Sequence, residues 1–495
     1  MLICKCFVFL LLSSTWFPEA AGLINFSAIP ATGFPDITRF FPSSDNDFGL
    51  SSPPPREEQP VKLTLKKRSR NPEPKQHLRD STMKDLTRIQ SLHKRITGTN
   101  QATQRGSPLA QPPPPRTPSQ QLVATLASGF TLGSGEYLMD VFIGTPPKHF
   151  SLILDTGSDL SWIQCVPCND CFEQDGPFYD PRQSSSYTNV SCNDPRCRLV
   201  SPPLHREHCS GNQPCPYYYW YGDSSNTTGD FALETFTVNL TSVGGLSEIK
   251  TVENVMFGCG HWNRGLFHGA AGVLGLGRGP LSFTSQLRSL YGHSFSYCLV
   301  DRNSEANVSS KLIFGEDKGL LRHPELKFTS LVSGTEKTFY YVQVKSVIVG
   351  GEALEIPRDT WQLEGGGGTI VDSGTTLSYF PEAVYKLIKA AFLKKVKGFA
   401  LLDDFPILDP CYNVSGAEKI DVPEFAIVFE DGAVWEFPVE NYFIRIEEED
   451  AVCLAILGTQ SALSIIGNYQ QQNFHILYDT KQSRLGYAPV KCATL

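Results

Sequence analysis

One arrangement of residues occurs twice in this chain, and it limits the fold more than any other feature. The run Phe150-Ser151-Leu152-Ile153-Leu154 leads into Asp155-Thr156-Gly157-Ser158, and Thr369-Ile370-Val371 leads into Asp372-Ser373-Gly374-Thr375. A β-rich segment precedes each string: Glu136 to Ile143, closed by Gly144-Thr145-Pro146-Pro147, and Phe339 to Val349, closed by Gly350-Gly351. Two apolar residues and a glycine follow later in each half, Val273-Leu274-Gly275 and Ile465-Ile466-Gly467. The same three elements in the same order indicate a duplication. Short β-branched and aromatic runs bounded by turn residues predict an all-β fold in two related β-rich lobes with a few short helices. The best helix is expected from Pro381 to Val396, where Val384, Leu387, Ile388, Ala391 and Phe392 form an apolar stripe and Gly398 lies just beyond.

The repeated string is also the candidate chemistry. An aspartate at the end of an apolar strand, followed by Ser/Thr and Gly, makes a tight loop with a partly desolvated carboxylate. The glycine allows close approach of backbone, and the hydroxyls at the next position and at the third can hold the acid by hydrogen bonds. Duplicated lobes can bring two such loops face to face. Two carboxylates sharing a site do not both ionise easily, so one keeps its proton. The ionised acid can then act as general base on water and the protonated one as acid toward a carbonyl, with no metal or covalent nucleophile required.

The remaining features concern compartment. Lys5, the apolar run Phe7 to Leu12 and the small residues Ala20-Ala21-Gly22 are laid out as a signal peptide over residues 1–22, too short for a membrane span. Cys4 and Cys6 would leave with it. Twelve cysteines remain, Cys165, Cys168, Cys171, Cys192, Cys197, Cys209, Cys215, Cys259, Cys298, Cys411, Cys453 and Cys492, an even set that suggests six disulfides of undetermined connectivity. Asn25, Asn189, Asn226, Asn239, Asn307 and Asn413 are glycosylation candidates on the same route. Residues 23–130 are proline-rich; over 23–127 there are 15 Lys/Arg against 8 Asp/Glu, a net of +7. The whole chain carries −8, so the body carries −15, and an electrostatically docked leader is expected. Within the leader, Met83, Leu86, Ile89, Leu92 and Ile96 recur at helical spacing. Net acidity argues against nucleic acid as a partner, and the Lys66-Lys67-Arg68 run reads as a solvated charge cluster.

From about Gly133 to Cys492 the sequence resembles the pepsin-like aspartic proteases, specifically the plant nepenthesin-type branch. The resemblance implies a bilobal pepsin-like fold with the cleft between the lobes, an N-terminal lobe over 131–325 and a C-terminal lobe over 326–495. It implies Asp155 and Asp372 as the catalytic dyad, braced by Thr156, Gly157, Ser158, Ser373, Gly374 and Thr375. Tyr221-Gly222-Asp223-Ser224-Ser225 looks like the flap hairpin over the substrate, with Trp162 supporting Tyr221. Cys411 and Cys453 match the family's second-lobe disulfide, and the Cys165–Cys215 stretch matches the insertion of the nepenthesin branch. Asp85, Arg88, Leu92 and Arg95 resemble the helical prosegment of plant members. The activity implied is an acid endopeptidase made as a zymogen, acting on protein or peptide substrates, with its own propeptide as intramolecular inhibitor. It would be a monomer without cofactor or metal. Its compartment would be extracellular or the cell wall, with vacuole or chloroplast as alternatives. Two departures bear on the flap: Ser224 stands where many members have glycine, and Asn226 would place a glycan beside the cleft.

Two rival readings have sequence support. Cys165-x-x-Cys168-x-x-Cys171 with His205 and His208 nearby could be a metal set, although a secreted context favours disulfides. Some plant relatives of this fold are inhibitors or binding proteins without catalysis. The presence of both acids, all four hydroxyl positions, Tyr221 and Trp162 favours the enzyme over that alternative.

Overall fold

The computed structural model describes residues 61–67, seven residues between 82 and 90, and 136–494 apart from short stretches, chiefly 202–208, 222–224, 242–246, 302–308 and 403–406. The signal segment, Asn25, Asn307, Gly222, His205 and His208 therefore lie outside the described residues. The described leader residues, 61–67 and those between 82 and 90, belong to the same compact unit as the body.

The apolar, β-branched and aromatic runs Tyr137–Ile143 and Lys148–Asp155 form two strands that pair antiparallel, Leu138 opposite Ile153. Gly144, at φ +97°, turns the chain between them. The second strand then runs parallel to Gly272–Gly275, setting Asp155 opposite Gly275. Trp162–Gln164 runs parallel to the end of Ser247–Arg264 and antiparallel to Gly272–Gly275. The C-terminal half repeats this wiring. Gly368–Val371 runs parallel to Leu463–Ile466, and Ser378–Pro381 runs parallel to Ile456–Thr459 while meeting Leu463–Ile466 antiparallel at Tyr379 and Ile465. The three elements repeated in the sequence are thus the strand that carries each aspartate, the preceding strand paired antiparallel to it, and its later parallel partner.

The halves share an antiparallel sheet. Ser294–Cys298 pairs with Phe474–Asp479, which pairs with Arg484–Pro489, which in turn pairs with Lys327–Val332. On its other side Ser294–Cys298 pairs with Ser309–Phe314. All six disulfides form: Cys165–Cys259, Cys168–Cys171, Cys192–Cys209, Cys197–Cys215, Cys298–Cys492 and Cys411–Cys453. Of the possible metal set, Cys165 pairs away with Cys259 while Cys168 and Cys171 pair with each other, and among the described residues no cluster of three His, Cys, Asp or Glu could hold a metal ion. Among those residues no helix is long and apolar enough to cross a membrane.

The helix spans Glu382–Lys395, with Pro381 as its N-cap and Val396 as its C-cap. It buries Val384, Tyr385, Ile388 and Phe392, whereas Leu387 at the stripe's edge is 38% exposed. A larger departure from the sequence reading is in the leader. Beyond its helical spacing the leader shows no element in the sequence, yet Val61–Lys67 forms a strand paired with Ser309–Phe314 over six residues and with Tyr137–Ile143 from Leu65 to Lys67. Those two body strands would otherwise present unpaired backbone groups, and backbone pairing does not depend on an apolar leader sequence.

Candidate active site

Each aspartate sits where a strand ends and its loop turns toward the other half. Asp155 and Asp372 are buried, 1% and 0% exposed. Gly157 N–H donates to Asp155 Oδ1 at 2.9 Å and Ser158 Oγ–H to Oδ2 at 2.5 Å. In the other loop Gly374 N–H donates to Asp372 Oδ1 at 2.9 Å and Thr375 Oγ1–H to Oδ2 at 2.6 Å. The loops also clasp each other: Thr156 N–H donates to Ser373 Oγ at 3.1 Å, and Ser373 N–H donates to Thr156 Oγ1 at 2.9 Å. Each hydroxyl in turn donates a hydrogen bond to the other half, Ser373 Oγ–H to the Leu154 carbonyl at 3.0 Å and Thr156 Oγ1–H to the Val371 carbonyl at 3.4 Å. A methyl group on Gly157 would lie 2.8 Å from Asp372 Oδ1, and one on Gly374 2.2 Å from Asp155 Oδ1, so only glycine lets the carboxylates approach this closely.

A cation from the leader fills the space between them. The described residues between 82 and 90 are helical, as the apolar spacing predicts, and Arg88 points into the dyad. Its Nη2 lies 2.6 Å from Asp155 Oδ1 and 3.0 Å from Asp372 Oδ2, and its Nε donates to Asp372 Oδ2 at 3.1 Å. Burial pushes Asp155 up, but the Arg88 charge, its hydrogen bonds, Ser158 and the Gly157 amide together hold that carboxyl below its usual value. Burial dominates at Asp372 and the negative charge of Asp155 adds to it. Despite Arg88, its carboxyl lies above the usual value. With Arg88 in place the two acids are therefore differentiated, one disposed to ionise and one to hold a proton.

Tyr221 lies at the mouth of a hairpin whose strands, Cys215–Trp220 and Asn226–Thr241, pair Trp220 with Asn226; its tip, 222–224, includes Gly222 and Ser224 and lies outside the described residues. Trp162 Nε1–H donates to the Tyr221 hydroxyl at 2.6 Å, and Phe267 packs edge-on to both rings. Burial, Tyr219 and the Asp155 charge raise the Tyr221 phenol, so it remains a neutral donor. Of the glycosylation candidates, Asn189 is exposed, Asn226 and Asn413 are half-buried, and Asn239 falls in the long strand Asn226–Thr241.

Several groups around the dyad have no counterpart in the sequence reading. Gln471 Nε2–H donates to the carbonyl of Asp372 at 3.3 Å and of Ile466 at 2.9 Å. Its Oε1 accepts from Tyr297, whose hydroxyl also lies 2.9 Å from that of Tyr478. Asn468 Nδ2–H donates to the Ser373 carbonyl at 3.0 Å. The polar run Asn468-Tyr469-Gln470-Gln471-Gln472, directly after an apolar strand and Gly467, is the one signal that could have exposed this layer.

Comparison with known proteins places these features in a family. Residues 137–316 match the family described as xylanase inhibitor N-terminal, and residues 339–489 match xylanase inhibitor C-terminal. Aspartyl protease family protein 2 of Arabidopsis thaliana is 39% identical over 375 residues, covering 75% of this chain and 74% of the relative. Aspartic proteinase nepenthesin-1 of Nepenthes gracilis is 35% identical over 414 residues, covering 83% and 88%. Among solved structures, conglutin gamma, a basic 7S globulin from lupine seeds, superposes with a TM-score of 0.59 at 20% identity, covering 72% of this chain and 92% of that one. Basic 7S globulin from soybean does so with 0.57 at 21%, covering 73% and 95%. The relatives match this chain in sequence, whereas the globulins speak to the fold alone.

Proposed function

This chain belongs to the pepsin-like aspartic protease family, in its plant nepenthesin-like branch, and from that premise we propose that it is an acid endopeptidase made as a latent precursor. Asp155 and Asp372 are its catalytic dyad. The observation that carries this reading is the convergence of two buried carboxylates, from matching loops, on one guanidinium nitrogen at 2.6 and 3.0 Å. Acids held that close share a small volume, and only one readily ionises once the cation leaves.

With the cleft open, a peptide lies beneath the Tyr221 hairpin and a water lies between the carboxyls. The ionised acid of the pair takes a proton from that water as its oxygen attacks the scissile carbonyl carbon. The protonated acid gives its proton to the carbonyl oxygen, which forms a neutral tetrahedral diol. Collapse of the diol breaks the C–N bond, with the proton taken from the water passing on to the departing nitrogen. One diol hydroxyl returns its proton to the second acid as the new carboxylic acid forms, and the pair as a unit is restored. Gly157, Ser158, Gly374 and Thr375 hold the carboxyls in the required orientation throughout, at no cost in reorganisation. In the precursor, Arg88 occupies the place of that water and substrate, and the leader acts as intramolecular inhibitor. The six disulfides and the signal-like N-terminus support passage through the secretory pathway.

The test is hydrolysis of an unfolded protein substrate by purified full-length chain across a pH series, beside Asp155→Asn. Cleavage that sets in below pH 3.8, where the leader's grip on Asp155 is lost, and that the substitution abolishes is expected. Cleavage that survives the substitution removes the dyad assignment. A folded wild-type chain that cuts nothing after leader removal would instead be a binding protein on the same fold, as the xylanase-inhibitor descriptions of the matched families allow.

A further inference from the structure

Asp85, on the helical leader segment that also carries Arg88, reaches a second place in the cleft. Its Oδ1 and Oδ2 accept from the Thr376 N–H at 3.0 and 2.9 Å, and Oδ2 also accepts from the Leu377 N–H at 3.1 Å and the Tyr379 hydroxyl at 3.4 Å. Asp85 is 1% exposed and Tyr379 fully buried. Thr376 directly follows Thr375, whose hydroxyl holds Asp372, so this cradle adjoins the reacting centre.

The donors are set in place from behind. The carbonyls of Thr375 and Thr376 accept the N–H groups of Asn468 and Tyr469 at 2.8 and 2.9 Å, which fixes the turn without help from the leader. Loss of the leader would therefore leave two amides and a buried phenol aimed at one point and lacking the carboxylate they hold. Hydrogen bonds from N–H to an ionised carboxylate are roughly twice as strong as those between neutral groups, so a carboxylate is the ligand that such a cradle favours. The body's net of −15 opposes an acidic peptide at long range. Such fields are screened beyond about 8 Å at physiological salt, while these donors act at contact distance.

We propose that Thr376, Leu377 and Tyr379 form a carboxylate-binding subsite, and that the preferred substrates carry an acidic side chain a few residues from the scissile bond. Asp85 of the leader occupies that subsite as a stand-in for the substrate. The inference rests on the endopeptidase reading of the same cleft and adds a substrate class to it.

The experiment uses the full-length chain with Asp85→Ala and Arg88→Ala, which removes the two leader side chains described as reaching the cleft. Internally quenched peptides place an aspartate in turn at each position flanking one susceptible bond, each matched by an asparagine peptide. The same pairs are made with a reduced, uncleavable bond and their binding is measured by calorimetry. At one position aspartate is expected to exceed asparagine about tenfold in both kcat/KM and affinity, the range of one charge-assisted hydrogen bond. Tyr379→Phe, which removes one donor and keeps the ring, should shrink that preference several-fold. Equal values at every position would overturn the proposal and assign the amides to a substrate's main-chain carbonyl. A preference indifferent to Tyr379→Phe would overturn it too, by placing the acid elsewhere. Aspartate-selective binding with no cleavage of any peptide would uphold the subsite and defeat the protease reading instead.

Discussion

Replacing Arg88 with alanine should convert the latent full-length chain into an active one without removing the leader. The guanidinium is 8% exposed and makes three contacts of 2.6–3.1 Å to the dyad. Removing one partner of a buried ion pair costs about 3–5 kcal/mol, because the remaining charge stays buried and uncompensated. Here the remaining groups are two carboxyls that can share a proton, and Asp372 already leans toward the protonated form, which offsets part of the loss. The lower end, about 3 kcal/mol, is the appropriate figure, and it corresponds to about a hundredfold rise in the population with the dyad uncovered. Ile89 and the Asp85 contacts remain in Arg88→Ala, so the leader is weakened rather than expelled.

The assay is initial hydrolysis of a quenched peptide at about pH 5.5, above the ordinary carboxylate range, by wild type, Arg88→Ala and Arg88→Ala with Asp155→Asn. The single variant should exceed wild type about a hundredfold and the double variant should be inert. In wild type the same release is reached by acid. Asp155 is held below its usual 3.8, so its share of the grip is fully present above that value and is lost as pH falls through the lowered one. Asp372 is raised, so its contribution has the opposite sign: complete below 3.8 and lost as pH rises through the raised value. Acid opening must therefore come from Asp155 and fall below pH 3.8. An Arg88→Ala chain as latent as wild type at pH 5.5, when the same preparation cleaves once its leader is cut away, would refute this account.

Two further substitutions probe the groups that support the dyad. Trp162→Phe removes the 2.6 Å hydrogen bond to Tyr221 and leaves a buried phenol without that donor, worth about 1–3 kcal/mol. Peptide kinetics should show kcat/KM lowered about tenfold at an unchanged pH optimum, and an unaltered value would mean that Trp162 does not align the hairpin. Gln471→Leu takes one donor from the Asp372 carbonyl and one acceptor from Tyr297. As a positioning residue it should lower kcat about tenfold with little change in KM, and should shift the pH–rate profile because the Asp372 loop relaxes. A uniform loss of folded protein with a normal profile would make its role structural only.

The parts of this molecule that sequence reveals are the ones written in consecutive residues. Asp155 and Asp372 were legible because each lies in a four-residue string at the end of an apolar run, and the loop geometry follows from those four residues alone. Cysteine pairing was legible only in number, since Cys298 meets Cys492 because Ser294–Cys298 lies beside Phe474–Asp479, a matter of sheet order and not of spacing. Gln471 and Tyr297 are 174 residues apart and meet beneath the dyad for the same reason. The leader was half legible. Its helical spacing marked Leu86 and Ile89 as a face, and its charge marked it as complementary to the body. Neither could say that Arg88, among 15 basic residues, would be the one between the aspartates, because the target of a helix face is set by what it packs against.

That selection of one cation bears on how the proposed latency works. A leader of +7 against a body of −15 supplies attraction at long range, but surface charges are screened by salt and contribute little once docked. The dyad offers two carboxylates of opposite tendency within reach of one group, and a planar guanidinium can address both through Nη2 and Nε while staying ionised at any pH the protein meets. An ammonium at the same position would be a single point of charge without that fork, and burial would press it to give up its proton. Arg88→Lys should therefore fall between wild type and Arg88→Ala in leakage at pH 5.5, nearer to alanine. The overall charge brings the leader to the body, and the shape of one side chain keeps the site closed.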